Sequence, residues 1–162
     1  MTREEYNSNI QTWSGNVLRF AVWSCGDRMR SEDAMQEAFA KLWEQRDKVT
    51  VEKGLGFLLT VTRHYLLDRF RHDAVATRVH EELSATTPTT VVETHEGLSD
   101  EMLIALRQLP EIQRTVIQLR DVEGYSYKEI ATLTQLSDQQ VQVYLFRARS
   151  NLKKQILKQQ TP

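Results

Sequence analysis

The sequence predicts an all-α protein: two small helical bundles joined by a flexible acidic linker, the second bundle containing a helix-turn-helix. Three observations predict it. Apolar residues recur at three- and four-residue steps along most of the chain, and no alternating strand pattern appears. Residues 73–98 lose that period and carry six acids against one base when counted to residue 100, the composition of a linker. Near the C-terminus two capping boxes, Ser126-Tyr-Lys-Glu129 and Ser137-Asp-Gln-Gln140, each precede an apolar stripe. In such a box the serine hydroxyl accepts the third helical amide, and the Glu or Gln side chain reaches back to the serine amide. At 162 residues and 40% hydrophobic content the chain has material for one ordinary domain or two small ones. The expected division is 1–72, a linker over 73–98, and 99–162.

Ile10, Trp13, Val17, Phe20 and Ser24 mark a first helix whose pattern stops at Cys25-Gly26. Ser31 is a good N-cap for a second, with Glu32 and Asp33 well placed against the helix dipole. Its core stripe is Met35, Ala38, Phe39 and Leu42, with Trp43 beside it. Residues 46–54 read as a charged loop loosened by Gly54 and Gly56, and a third helix runs from Phe57 to about His72, burying Leu58, Val61, Tyr65 and Leu66. Ala85-Thr-Thr-Pro-Thr-Thr90 belongs to the linker. Order resumes near Ser99 with a short helix on Met102, Leu103, Leu106 and Leu109; Pro110 ends it and suits the start of the next. That helix turns Ile112, Val116, Leu119 and Val122 inward before Glu123-Gly124.

Ile130, Ala131 and Leu133 then bury the first helix of the helix-turn-helix, and Thr134-Gln135-Leu136 allows only a tight turn. On the second helix Val141, Leu145, Ala148 and Leu152 share the docking side. The opposite side carries Gln139, Gln142, Val143, Phe146 and Arg147, with Arg149 on the flank. Glutamine binds adenine edges, arginine binds guanine or phosphate, and apolar groups meet thymine methyls in a major groove. An ordinary solvated helix face would more commonly show Glu and Lys. The formal net charge of -1 does not suggest nucleic acid. Its distribution does: after Asp138 no side-chain carboxylate occurs, whereas Arg147, Arg149, Lys153, Lys154 and Lys158 accumulate without an evident counter-charge. Phosphate contact accounts for them better than helix-dipole capping alone.

A single cysteine, Cys25, excludes an internal disulfide. The absence of an ~18-residue apolar run excludes a membrane-spanning helix, so a cytoplasmic protein without membrane insertion is expected. In the first bundle, the exposed side of the second helix carries Asp33, Gln36, Glu37 and Lys41. The third carries Arg63, His64, Asp68, Arg69 and Arg71 among the aromatics Phe57, Tyr65 and Phe70. Bases interleaved with aromatics can hold phosphates and stack on unpaired bases.

These pieces resemble the sigma-70 superfamily of RNA polymerase initiation factors, most of all its small two-domain extracytoplasmic-function group. Ser31-Glu-Asp-Ala-Met-Gln-Glu-Ala-Phe-Ala-Lys-Leu-Trp43 is similar to the family's polymerase-docking helix, and Phe57-Leu-Leu-Thr-Val-Thr-Arg-His-Tyr-Leu-Leu-Asp-Arg-Phe-Arg71 to the helix that meets the -10 promoter element. Leu106-Arg-Gln-Leu-Pro-Glu-Ile-Gln-Arg114, Asp121-Val-Glu-Gly-Tyr-Ser-Tyr-Lys-Glu-Ile-Ala131 and Phe146-Arg-Ala-Arg149 are similar to the -35-reading domain. Four positions depart from the usual pattern: His64 for Asn, Phe57 for Trp, Gln135 for the glycine of the turn, and Tyr144 for Arg.

The resemblance implies partners and site residues. Core RNA polymerase would be bound through its β′ clamp helices and β flap, with Asp33, Gln36, Glu37 and Lys41 docking on the former. Arg63, His64, Asp68 and Arg71 would lie near the -10 element of promoter DNA, and Gln139, Gln142, Val143, Phe146, Arg147 and Arg149 at the -35 element. An anti-sigma protein is a further expected partner, and the acidic linker would suit a cationic polymerase channel. A polymerase-independent repressor or activator is the alternative, though such proteins are usually dimers on palindromes and no dimerisation coiled coil is evident. Catalysis is not expected. His64 and Asp68 are helically spaced and His72 lies a further turn along, but no identifiable third partner, metal site, cofactor site or glycine-rich phosphate loop completes the pair.

Overall fold

The computed structural model describes residues 1–80 and 99–160, with side chains for 1–75 and 99–160. The described residues divide into two units, 1–80 and 99–160. Among the described residues there is helix and no strand.

In the first unit, α1 (Arg3–Cys25), α2 (Arg28–Glu44) and α3 (Val51–His80) pack on one another in all three pairings. The start of α1 is fixed by a capping box earlier than the apolar stripe suggests: Thr2 Oγ1 accepts from the Glu5 amide at 3.1 Å, and Glu5 Oε2 accepts from the Thr2 amide at 2.7 Å. Val17, Phe20, Ala21, Val22 and Trp23 are buried along it. Gly26 then adopts φ 68°, a left-handed conformation costly for a residue with a Cβ, and ends the helix.

That abrupt end shifts the start of α2. The N-cap is Asp27, whose carboxylate accepts from the Arg30 amide at 3.2 Å, and not Ser31. Ser31 lies fully buried inside the helix, its hydroxyl donating to the Asp27 carbonyl at 2.7 Å. Of the expected stripe, Ala38 and Leu42 are sealed from solvent and Phe39 nearly so, Met35 is half-buried, and Ala34 beside them is sealed as well. Tyr6 of α1 closes over this helix, its hydroxyl donating to the Phe39 carbonyl at 2.9 Å and its ring edge-on to Trp43.

Residues 51–54, expected in a loop, are helical, because Gly54 is a packing residue. It is buried, and a Cβ there would meet Trp13 Cζ3 at 2.6 Å. The helix starts at Val51 so that the bare backbone at Gly54 can receive the Trp13 ring. Leu58, Leu59, Thr62 and Leu66 are buried, and Thr62 satisfies its hydroxyl on the Leu58 carbonyl at 2.7 Å. Each fully buried leucine contributes roughly 1.5–3 kcal/mol. The helix also outlasts the expected end at His72, continuing to His80, with Asp73 paired to Arg30 of α2. The rest of the expected linker, including Ala85-Thr-Thr-Pro-Thr-Thr90, lies outside the described residues.

In the second unit α7 (Asp138–Gln160) packs on α4 (Asp100–Arg107), α5 (Glu111–Ile117) and α6 (Tyr127–Thr134). Ser99 caps α4, accepting from the Met102 amide at 3.2 Å, and Pro110 stands at the N-cap of α5. The helix expected to run through Val122 changes type: after Ile117 the backbone forms a π-helical turn, Gln118–Val122. The wider turn is marked by the Glu123 amide donating to Gln118 O at 3.0 Å and the Tyr125 amide donating to Leu119 O at 2.9 Å. Val116, Leu119, Ile130, Val141, Leu145 and Ala148 form the core, as their periodicity predicts. Asn151 of α7 adds a polar tie, donating to Gln113 Oε1 at 2.8 Å.

Candidate functional site

The helix-turn-helix is set by its two serine caps. Ser126 Oγ accepts from the Glu129 amide at 3.1 Å while Glu129 Oε2 accepts from the Ser126 amide at 3.0 Å. Ser137 and Gln140 repeat the arrangement at 3.1 and 2.9 Å. Between them Gln135 ends α6 at φ 60°, the left-handed region, and the Leu136 amide donates to Ala131 O at 3.1 Å. Among the described residues, Gln135 is the non-glycine with positive φ. A conformation that favours glycine has been kept without one.

With α7 docked through Val141, Leu145 and Ala148, the residues expected at a DNA edge emerge together on its outer side. Gln139, Gln142, Val143, Phe146 and Arg147 are all exposed. Phe146 is 76% exposed and Val143 45%, so both apolar groups stand on this outer side among the amides and Arg147. Beside them runs an open groove of about 610 Å³ lined by Tyr127, Gln142, Leu145, Phe146, Arg149, Ser150 and Lys153.

Arg149 is not without a counter-charge. Its Nη2 donates to Asp121 Oδ1 at 2.7 Å and its Nε to Asp121 Oδ2 at 3.3 Å. This bidentate bond holds the guanidinium above its ordinary pKa, with a smaller contribution from Tyr127. Asp121 is remote in sequence from Arg149, so no helical spacing pointed to the pair. Arg120, next to it, donates to the Tyr125 carbonyl at 2.9 Å and lies over the Tyr127 ring at 4.6 Å. Burial, then the Glu123 and Glu129 charges, push the Tyr125 hydroxyl up to about 12.

In the first unit Asp33, Gln36 and Lys41 are exposed and Glu37 is half-buried on the side of α2 away from Ala34, Ala38 and Leu42. Lys41 Nζ stands 3.7 Å from Glu37 Oε1, one turn apart. On α3, His64, Asp68 and Arg71 are exposed and helically spaced, with Arg63 half-buried beside them. Asp68 Oδ1 approaches Arg71 Nη1 at 3.8 Å, and Arg69 covers the Tyr65 ring at 5.3 Å. Among the described residues there is no cluster of three or more His, Cys, Asp or Glu suited to a metal ion, and no helix long and apolar enough to cross a membrane.

Two family models match the chain, described as Sigma-70 region 2 over residues 10–75 and Sigma-70, region 4 over residues 99–152. The chain is similar to the ECF RNA polymerase sigma factor SigM of Bacillus subtilis (strain 168), 25% identical over 150 residues covering 88% of this chain and 90% of that protein. It is also similar to the ECF RNA polymerase sigma factor SigX of the same organism, 26% identical, covering 93% and 83%. Among solved structures, the sigma factor RpoE in complex with the anti-sigma factor NepR from Bartonella quintana shares the fold, with a TM-score of 0.81 over 96% of this chain and 98% of that one, at 20% identity. Two regions of one family, matched in order on the bundle that carries α2 and α3 and on the one that carries the helix-turn-helix, leave one assignment: the chain belongs to the sigma-70 superfamily, as a two-domain transcription initiation factor of the extracytoplasmic-function type that acts with RNA polymerase.

Proposed function

We propose that the chain docks on core RNA polymerase through Asp33, Gln36, Glu37 and Lys41 of α2, and brings the enzyme to promoters whose two elements are held by α3 and α7. The observation that carries this is the outer face of α7, where two amides, two exposed apolar side chains and Arg147 are presented by a helix whose start is fixed. That combination suits base edges and thymine methyls. Gln139, Gln142, Val143, Phe146 and Arg147 meet the -35 element, and Arg149 lies at their flank. Arg63, His64, Asp68 and Arg71 meet the -10 element, where holding unpaired bases offsets part of the few kcal/mol of unstacking. Opening the duplex then needs no ATP, because binding the single strand shifts an equilibrium.

The working divisions are the α1–α3 bundle for polymerase and the -10 element, a tether that begins only after α3 ends at His80 and not at residue 73, and 99–162 for the -35 element. The protein works in the cytoplasm, catalyses no reaction of its own and needs no cofactor. An anti-sigma protein covering the docking helix would hold it inactive. Run-off transcription tests the proposal: the chain added to core polymerase yields promoter-specific transcripts, and Gln36→Ala with Glu37→Ala reduces the polymerase recovered on the tagged chain. Duplex binding without transcription, or unchanged recovery, would overturn the respective assignment.

A further inference from the structure

We propose that Asp121 is a positioning residue for promoter reading: through its bidentate bond to Arg149 it fixes the recognition helix against the π-helical turn, and Arg149 is the brace of that helix and not one of its DNA contacts. This rests on the reading of α7 as the -35 helix.

The bond joins two parts of the unit that the apolar core holds less directly. The buried contacts of α7 within the helix-turn-helix come from Val141, Leu145 and the small Ala148. Farther along, α7 also packs on α4 and α5, and Asn151 donates to Gln113 Oε1. To these contacts the Asp121–Arg149 pair, exposed at 43% and 50% one turn beyond Phe146, adds a directional bond from the π-helical turn, a planar fork that fixes angle as well as distance. Asp121 is itself held firmly. The π-helical turn places it, the Glu123 and Tyr125 amides close that turn, and Arg120 binds the Tyr125 carbonyl and stacks on Tyr127 at the start of α6. The carboxylate therefore reports the position of both the turn and α6 to α7.

The same geometry argues against Arg149 as a phosphate contact. Its Nε and Nη2 are both committed to one carboxylate. A phosphate approaching the remaining guanidinium hydrogens would meet a cation already neutralised by the Asp121 carboxylate, and would be repelled by that negative charge. Arg147, on the outward face two residues earlier, has no such restriction imposed by Asp121.

The test uses the full chain assembled with core polymerase, on promoter DNA with an intact upstream element and on the same DNA with that element scrambled. Asp121→Asn, which keeps size and loses charge, is expected to weaken upstream-element-dependent binding about three- to fivefold without changing its salt slope. Asp121→Glu should recover most of the loss. Arg149→Lys keeps the cation but not the fork, so it should lose as much as Asp121→Asn, and the double variant should be no weaker than either. Unchanged or tighter binding by Asp121→Asn overturns the brace, as does full retention by Arg149→Lys, which a simple phosphate contact would allow. Arg147→Ala separates the two levels. If it weakens binding while Asp121→Asn does not, the brace fails and the reading of α7 stands; if neither affects the upstream element, the reading of α7 fails as well.

Discussion

At the scale of single residues, the turn between α6 and α7 shows a local rule set aside. Gln135 occupies φ 60° where glycine is favoured, at a cost of roughly 1–2 kcal/mol. Glycine there would give back about 0.5–1 kcal/mol through the freedom it adds to the unfolded chain. Gln135→Gly is therefore expected to stabilise the protein by about 0.5–1 kcal/mol, read as a higher urea midpoint with an unchanged slope. Gln142 and Arg147 differ in what they should lose: Gln142→Ala alters base preference at the upstream element, whereas Arg147→Ala weakens binding across sequences and lowers the salt slope by about one if its contact is a phosphate. Quantitative footprinting across a salt series separates them. Tyr125 gives a pH signature. Its hydroxyl is raised to about 12 in the folded chain, above the ordinary value near 10, so the folded state favours the protonated form. The stability this reflects is complete below about pH 10 and is lost as pH rises toward 12. Tyr125→Phe should flatten that alkaline decline relative to the parent, measured by denaturant midpoints at stepped pH. The capped starts of α6 and α7 and the outer face of α7 were legible in sequence because their determinants lie within one or two turns of each other. The Asp121–Arg149 bond was not, since it depends on a π-helical turn that no local pattern announces.

At the scale of helices, the boundaries fall where a residue's intrinsic preference yields to its surroundings, along the chain at Ser31 and in space at Gly54. Ser31 has the chemistry of an N-cap, yet the left-handed Gly26 moved the cap to Asp27 and left Ser31 inside the helix. Thr2 and Glu5 form a capping box of the same local kind as Ser126–Glu129 and Ser137–Gln140, set well ahead of Ile10, where the apolar stripe begins. Gly54 resembles loop punctuation and proves to be the site where α3 comes close enough for Trp13 to lie against its backbone. This last case has a measurable consequence. Alanine normally favours a helix over glycine by about 1 kcal/mol, but here the added methyl would strike the Trp13 ring, and overpacking costs about 1–3 kcal/mol. Gly54→Ala is accordingly expected to destabilise the first unit by up to about 2 kcal/mol, with a change in tryptophan fluorescence accompanying the lower denaturation midpoint. A stabilised variant would mean that the ring moves aside at little cost.

At the scale of the whole molecule, the proposed placement of a promoter-binding face on each unit of one chain has a consequence that is kinetic and thermodynamic at once. Each unit presents a modest surface: a few amides, one or two exposed apolar groups and a small number of cations. Neither needs tight binding alone if capture by one raises the local concentration of the other, and linked modules of this kind gain about 10²–10⁴ in overall affinity without any new contact. Continuity between residues 80 and 99 is then a functional requirement separate from the sequence of that segment. A protease site introduced between these residues, cut after purification of the intact chain, provides the test. Cleavage should lower promoter-specific run-off transcription at least tenfold in dilute solution, with recovery as the concentration of the cleaved protein is raised. A cleaved chain as active as the intact one at every concentration would mean that polymerase itself holds both units in place, and that the covalent tether contributes nothing to promoter recognition.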